Sequence, residues 1–322
     1  MALQTSGQIS LNNIHVEVGG SSGSSVSLND SDIRALIGKS SGAQMSFNEW
    51  YGASAETTLT SGGTVNSVAQ RQEISVSSFI SSGGTLVIPS SIWVWSDDRT
   101  VAALTVNIPC TIKNYGKIIG MGGNAGRYNA YSGTPERNGF TGGPAVNVTS
   151  SGVTIINYSG AYIAGGGGGG GASRWDTSRD HQAGGGGGAG GGDAGRGSTS
   201  SSNYGRGGRY PNEKGSSLHA TSTYTGAQAG GSAYYSTVGG NGGGRLLPGT
   251  RDTRTNSYGG AGGEAGAWGG GYYDGGGGGG WGSSGGGPGT GINGGTGAAG
   301  GAGISKTTSY SLTNNGTIYG ST

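Results

Sequence analysis

The chain has 322 residues, enough for two or three domains, yet only 31% are hydrophobic, 11% are charged and 80 are glycine. A formal net charge of +2 is too small to argue for a nucleic-acid partner, and charge repulsion does not explain the glycine, since charge and hydrophobicity are both low. The single cysteine, Cys110, excludes an intrachain disulfide and a cysteine zinc cluster. No apolar run reaches membrane-spanning length, and no secretion signal is expected from a start that lacks a basic segment and an apolar core.

The first region, 1–54, contains three related phrases: Ile9-Ser10-Leu11-Asn12-Asn13, Val26-Ser27-Leu28-Asn29-Asp30 and Met45-Ser46-Phe47-Asn48-Glu49. Each pairs apolar residues with a capping or turn residue. Residues 14–18 alternate and predict a strand. Asn29 or Asp30 predicts the cap of a short helix over 32–37 that stops at Gly38. The expected core is Leu11, Val16, Leu28, Ile33, Leu36, Phe47 and Trp50. A module of this size is marginal alone and is expected to dock on a partner.

The second region, 55–164, is strand-rich. Residues 85–89, 92–95 and 104–108 read as strands, with Gly83-Gly84, Pro89 and Asp97-Asp98 at turns. One phrase recurs: 112–120 (IKNYGKIIG), 155–165 (IINYSGAYIAG) and 312–320 (LTNNGTIYG). Each reads as strand, Asn-containing turn, strand. The spacing is too irregular to predict a solenoid. The copies are expected to enter and leave the glycine region, with 304–322 returning the C-terminus to the strand-rich part.

The third region, 165–303, holds most of the glycine, in runs at 165–171, 184–188, 240–244 and 275–280. Glycine has no side chain to bury, and ordering it costs about 1–2 kcal/mol of backbone entropy per residue. Glycine does not recur strictly at every third position, which excludes collagen. Ordering then requires backbone hydrogen bonds between closely packed segments. Glycine can form an extended helix of three residues per turn whose N–H and C=O groups point outward, so that neighbouring helices bond in all directions. The runs become struts, and the segments between them become loops held on a rigid support, where binding usually lives.

In this organisation the chain resembles the glycine-rich adhesins at the tips of T-even-type phage long tail fibres. The resemblance covers roughly 120–303. It implies a polyglycine II helix sandwich whose distal loops bind the host surface. The phrases of region 1 resemble a short module that begins many phage tail and virion proteins, which implies attachment to the particle through Leu11, Ile33, Leu36, Phe47 and Trp50. The expected fold class is therefore mostly β and irregular: a small α+β attachment module, a β-rich middle and a polyglycine II sandwich with distal loops.

Exposed Trp and Arg are favoured interface anchors. Arg174, Trp175 and Arg179 share one loop and are expected to contact a receptor, as are Tyr234, Tyr235, Tyr272 and Tyr273. Arg251 and Arg254 suit lipopolysaccharide phosphates or acidic receptor loops. Trp268 and Trp281 either contact the receptor or pack between struts. The expected partners are an outer-membrane protein or lipopolysaccharide on the host side and other tail proteins on the virion side, with homo-oligomerisation open.

No cofactor is expected. Gly38-Lys39-Ser40 lacks the upstream glycine of a phosphate-binding loop, and His15, His181 and His219 have no metal spacing. Asp176, Asp180 and His181 read as a solvated polar loop. No Gly-x-Ser-x-Gly elbow is present, and no enzyme is expected. The rival readings are a structural tail-tip or decoration protein, a polysaccharide-degrading tail enzyme and an ice-binding glycine-rich protein.

Overall fold

In the computed structural model each of the three N-terminal phrases starts a helical turn. The structure describes residues 3–53, 55–65, 68–80, 82–126, 137–174, 182–183, 185, 187–190, 192, 275–287 and 294–322. Ser10 caps α1 (Leu11–Glu17): its hydroxyl accepts from the Asn13 N–H, and the Asn13 side chain accepts from the Ser10 N–H. Asp30 precedes α2 (Ser31–Ala35), and its carboxylate accepts from the Ser27 N–H at 2.8 Å. Ser46 and Glu49 form a capping box at the 3-10 turn Phe47–Trp50.

Leu3, Ile14, Ile33 and Trp50 form the core of this part, and the Trp50 indole donates to Ile33 O at 3.2 Å. Two expectations are corrected here. Residues 14–17 alternate like a strand but are helical, because the Ser10 cap satisfies first-turn amides and helical spacing turns Ile14 and Glu17 inward. Val16 and Phe47, expected in the core, are 45% and 42% exposed. The buried Glu17 carboxylate accepts from the Ala55 N–H at 3.0 Å and ties this part to the strand-rich region.

From Glu56 the chain winds into coils. The first contains β1 (Glu56–Thr58), β2 (Gly63–Val65), β3 (Val68–Gln72) and β4 (Ile74–Ser75). The second contains β5 (Thr85–Ile88), β6 (Ile92–Trp95) and β7 (Leu104–Val106); the third, β8 (Cys110–Asn114), β9 (Lys117–Ile119) and β10 (Val146–Val148). The fourth contains β11 (Val153–Asn157) and β12 (Tyr162–Ala164), then a short antiparallel pair, β13 (Ser173–Arg174) with β14 (Gln182–Ala183), and closes with β15 (Ile304–Lys306). β16 (Tyr310–Asn314) and β17 (Thr317–Tyr319) make the last.

The coils stack into three faces. The first runs β1-β5-β8-β11-β16, the second β3-β6-β9-β12-β17 with β2 antiparallel on the β3 edge, and the third β4-β7-β10-β15. Every other pairing in these faces is parallel. This is a parallel β-helix, and it corrects the expectation against a solenoid. The strands expected at 85–89, 92–95 and 104–108 are present as Thr85–Ile88, Ile92–Trp95 and Leu104–Val106, but each lies on a different face. Asp97 and Asp98 therefore sit in a face-to-face connection, not a hairpin.

Alternation explains the stack. Leu86, Ile112 and Ile155 are in register on the first face, Val94, Ile118 and Ile163 on the second, and Leu104, Val146 and Ile304 on the third; all point into one core. Cys110 is a buried member of the same core. The three copies of the recurring phrase are successive coils. Their asparagines form an internal ladder: the Asn114 amide donates to Asn157 Oδ1, and the Asn157 amide to Asn314 Oδ1, both at 2.8 Å.

Candidate functional site

Connections from the second face to the third all leave at one corner, and they lengthen along the stack. The first is Glu73 alone, the next is 96–103, the third is 120–145 and the fourth is 165–303. Each rests on the next. Glu73, with φ 45°, turns its carboxylate to accept from Ser96 Oγ at 2.8 Å and from the Asp97 and Asp98 N–H groups at 3.1 and 3.2 Å. Arg99 of the second connection lies 4.2 Å over the Phe140 ring of the third. The third and fourth are joined mainly through backbone, and Asn138 Oδ1 also accepts from the Thr296 N–H at 2.9 Å.

That joint has a three-residue period. Gly120, Gly123 and Gly126 donate to Ala164, Gly167 and Gly170; Gly166, Gly169 and Ala172 donate to Gly143, Phe140 and Arg137. Gly165, Gly168 and Gly171 donate to Tyr319, Ser283 and Gly286, and accept from Gly282, Gly279 and Gly276. Gly301, Ala298 and Gly295 donate to Gly166, Gly169 and Ala172. Successive residues of 165–172 thus bond in successive directions, and a ring of neighbouring segments satisfies the buried backbone. The segments approach too closely for side chains. A Cβ on Gly169 would lie 2.0 Å from Asn124 O, and one on Gly168 would lie 1.9 Å from Ala298 O.

One aromatic cluster fixes this layer to the β-helix. Trp281, on the turn between two glycine segments, lies 5.5 Å from Tyr162 and 5.6 Å from Tyr319, and Tyr162 meets Trp93 edge-on at 6.0 Å. Lys117 Nζ lies 4.3 Å over the Trp93 ring, and loss of solvation by burial lowers its pKa. Trp281 is 5% exposed. Its place among the receptor contacts is therefore corrected: the indole packs the layer against the second face. Sequence reasoning left that packing open for Trp281 but did not find Trp93, Lys117, Tyr162 and Tyr319. The signal was their outward-facing parity on β6, β9, β12 and β17, visible only once the coils are aligned.

The remaining expected contacts fall differently. Arg174 lies in β13, whose pairing with β14 closes the base of a loop. Trp175, Arg179, Tyr234, Tyr235, Arg251, Arg254, Trp268, Tyr272 and Tyr273 lie outside the described residues, as do Asp176, Asp180 and His181. Among the expected attachment residues, Ile33 and Trp50 are fully buried, Leu11 and Leu36 are half-buried, and Phe47 is exposed. No group of three or more His, Cys, Asp or Glu able to hold a metal ion occurs among the described residues. No helix among the described residues is long and apolar enough to cross a membrane.

The fold is thus a parallel β-helix that carries one large excursion at a single corner. The family model of the phage tail fibre adhesin Gp38 matches residues 56–274, and the chain belongs to that family. It is a phage tail protein of the adhesin class. The match begins at the first coil and leaves the capped N-terminal turns outside it. No curated protein and no solved structure matches the chain.

Proposed function

We propose that this chain is the receptor-binding adhesin of a phage tail fibre or tail tip. In this reading 1–54 attaches it to the virion, 55–164 with 304–322 forms the connecting body, and 165–303 forms a polyglycine II sandwich that presents the contact loops. The carrying observation is the three-residue hydrogen-bond period around 165–172. That period is the repeat of an extended helix with three residues per turn, and side-chain-free helices of this kind can bond to neighbours on every side. Rigid struts lower the ordering cost of the loops between them.

The contacts assigned are Arg174, Trp175, Arg179, Tyr234, Tyr235, Arg251, Arg254, Trp268, Tyr272 and Tyr273, directed at an outer-membrane protein or lipopolysaccharide. Recognition proceeds without chemistry, and no cofactor enters it. Many copies per virion raise the apparent affinity.

Adsorption competition tests the reading. Purified full chain is mixed with host cells before phage is added, beside versions in which 175–181 or 245–258 is replaced by a short Gly-Ser turn. The expected result is that the intact chain blocks adsorption and the replacements do not. An intact, folded chain that neither binds cells nor slows adsorption, even when presented multivalently, makes the glycine layer a structural element of the tail instead.

A further inference from the structure

The last coil of the β-helix repeats the inward pattern of the coils before it, but no further strand pairs with it among the described residues. On the first face Leu312 is in register with Ile155 and Ile112. Those two are 1% and 0% exposed, and Leu312 is 36% exposed. Asn314 follows Asn157 and Asn114, both fully buried, and is itself exposed. On the second face Ile318 continues the column of Ile163 and Ile118, both fully buried, and is half-buried. Positions that are core in the inner coils thus form the surface of this end.

The asparagine ladder stops here one step short. Asn114 donates to Asn157 and Asn157 to Asn314, each from side-chain amide to side-chain oxygen. The Asn314 amide in turn donates to no group among the described residues. The backbone is open as well. β16 is the end strand of the first face and β17 of the second, and an end strand presents a row of N–H and C=O groups to whatever lies beyond it.

The third face differs. Lys306 stands in the register of Val148 and Val106, both fully buried. Its ammonium lies 5.4 Å from the centre of the Tyr310 ring and donates to Thr322 O at 3.5 Å. A complete coil laid on this end would bury that charge against an apolar column, which is costly without a counter-charge; an inward-pointing charge guards a sheet edge in this way. The guard sits at the corner between the third and first faces. Leu312, Asn314 and Ile318 lie towards the corner between the first and second, and residues 307–322 carry no charged side chain. What fits is therefore one strand-turn-strand segment over that corner. A second copy of this chain does not supply it: its three Asn phrases are built into its own coils, and its first coil has Thr57 in the Leu312 column.

We propose that this corner of the last coil is a strand-addition site for a segment of another protein that takes the place of one further phrase. The segment places an apolar residue over Leu312, an asparagine whose side-chain oxygen accepts from the Asn314 amide, a turn, and an apolar residue over Ile318. Main-chain bonds along β16 and β17 supply affinity, and the asparagine fixes the register. The site uses none of the residues assigned above to receptor contact or to virion attachment.

The probe is a fluorescein-labelled synthetic peptide of residues 153–164, the phrase that β16 and β17 already pair with on their inner edge. It is titrated with the full chain and read by fluorescence polarisation, and saturable one-to-one binding is expected. Leu312→Asp or Asn314→Leu in the chain, and Asn157→Leu in the peptide, should each weaken binding by about tenfold or more. Thr313→Arg, on the outward side of the face with Ile156 and Lys113, should leave it unchanged. No saturation at millimolar peptide, or equal affinity for the parent chain and the two weakening variants, overturns the proposal. Hydrogen exchange on the unsubstituted chain serves where a variant fails to fold. Bound peptide must slow exchange within 310–319, and protection confined to other segments overturns the site.

Discussion

The β-helix and the glycine layer solve the same problem with opposite means. Both satisfy their backbone groups by bonding between neighbouring segments. In the β-helix the coils are held apart by side chains, and Leu86, Ile112 and Ile155 fill the space between the faces. In the glycine layer the segments touch through backbone, and a Cβ at any of Gly165 to Gly171 would run into the backbone of a neighbouring segment. The first core tolerates a change of size at some cost, because neighbouring side chains relax. The second has no adjustable part. Substitutions should therefore separate the two regions by steepness of response.

The largest effect is expected at Gly169. A Gly169→Val side chain meets Asn124 O from a neighbouring segment and cannot turn away, so a loss of about 4 kcal/mol or more, with collapse of the layer, is expected. Thermal unfolding and hydrogen exchange across 120–126 and 165–172 check it; retained protection there would break the comparison. In the β-helix, Ile112→Ala removes a fully buried side chain and should cost about 3 kcal/mol, read from denaturant midpoints, with the coils still formed.

A smaller loss, about 2 kcal/mol, is expected for Asn157→Ala. That substitution leaves Asn114 without its acceptor and Asn314 without its donor inside the ladder. Equilibrium unfolding measures it, and an Asn157→Ala protein as stable as the parent removes the ladder from the stabilising contacts.

The mildest prediction concerns pH. Burial pushes the Cys110 thiol up to about 11, above the value of an exposed thiol near 9. A folded-state pKa raised in this way leaves stability unchanged below the unfolded value and erodes it as pH rises through the interval from about 9 to 11. Native protein should resist thiol reagents at pH 8, and Cys110→Ala should flatten the alkaline fall in the denaturant midpoint relative to the parent.

Much of this contrast is legible in the sequence, and the parts that are not have physical reasons. The strands at 85–88, 92–95 and 104–106 announce themselves by apolar alternation. The recurring Asn phrase is visible too. Its meaning is hidden because coils that are adjacent in space are separated in the chain by excursions at 120–145 and 165–303, which disguise a constant coil as irregular spacing. At 14–17 two signals conflict: Ile14, His15, Val16 and Glu17 alternate, but the Ser10–Asn13 cap acts on the same backbone and prevails. Trp281 resembles an exposed anchor because its sequence neighbours are small. Its neighbours in space, Tyr162 and Tyr319, come from coils far away in the chain.

The single corner from which every long connection leaves has an evolutionary consequence. The 165–303 excursion starts after β12 and ends before β15, between coils whose ladders on all three faces continue past it. Lengthening or shortening the part of that cassette beyond its glycine segments changes no strand register and adds no residue to the core inside the three faces. If the excursion carries the receptor contacts proposed above, a recombination event with breakpoints at these two glycine-flanked junctions would transplant a host specificity without shifting a strand of the recipient's body.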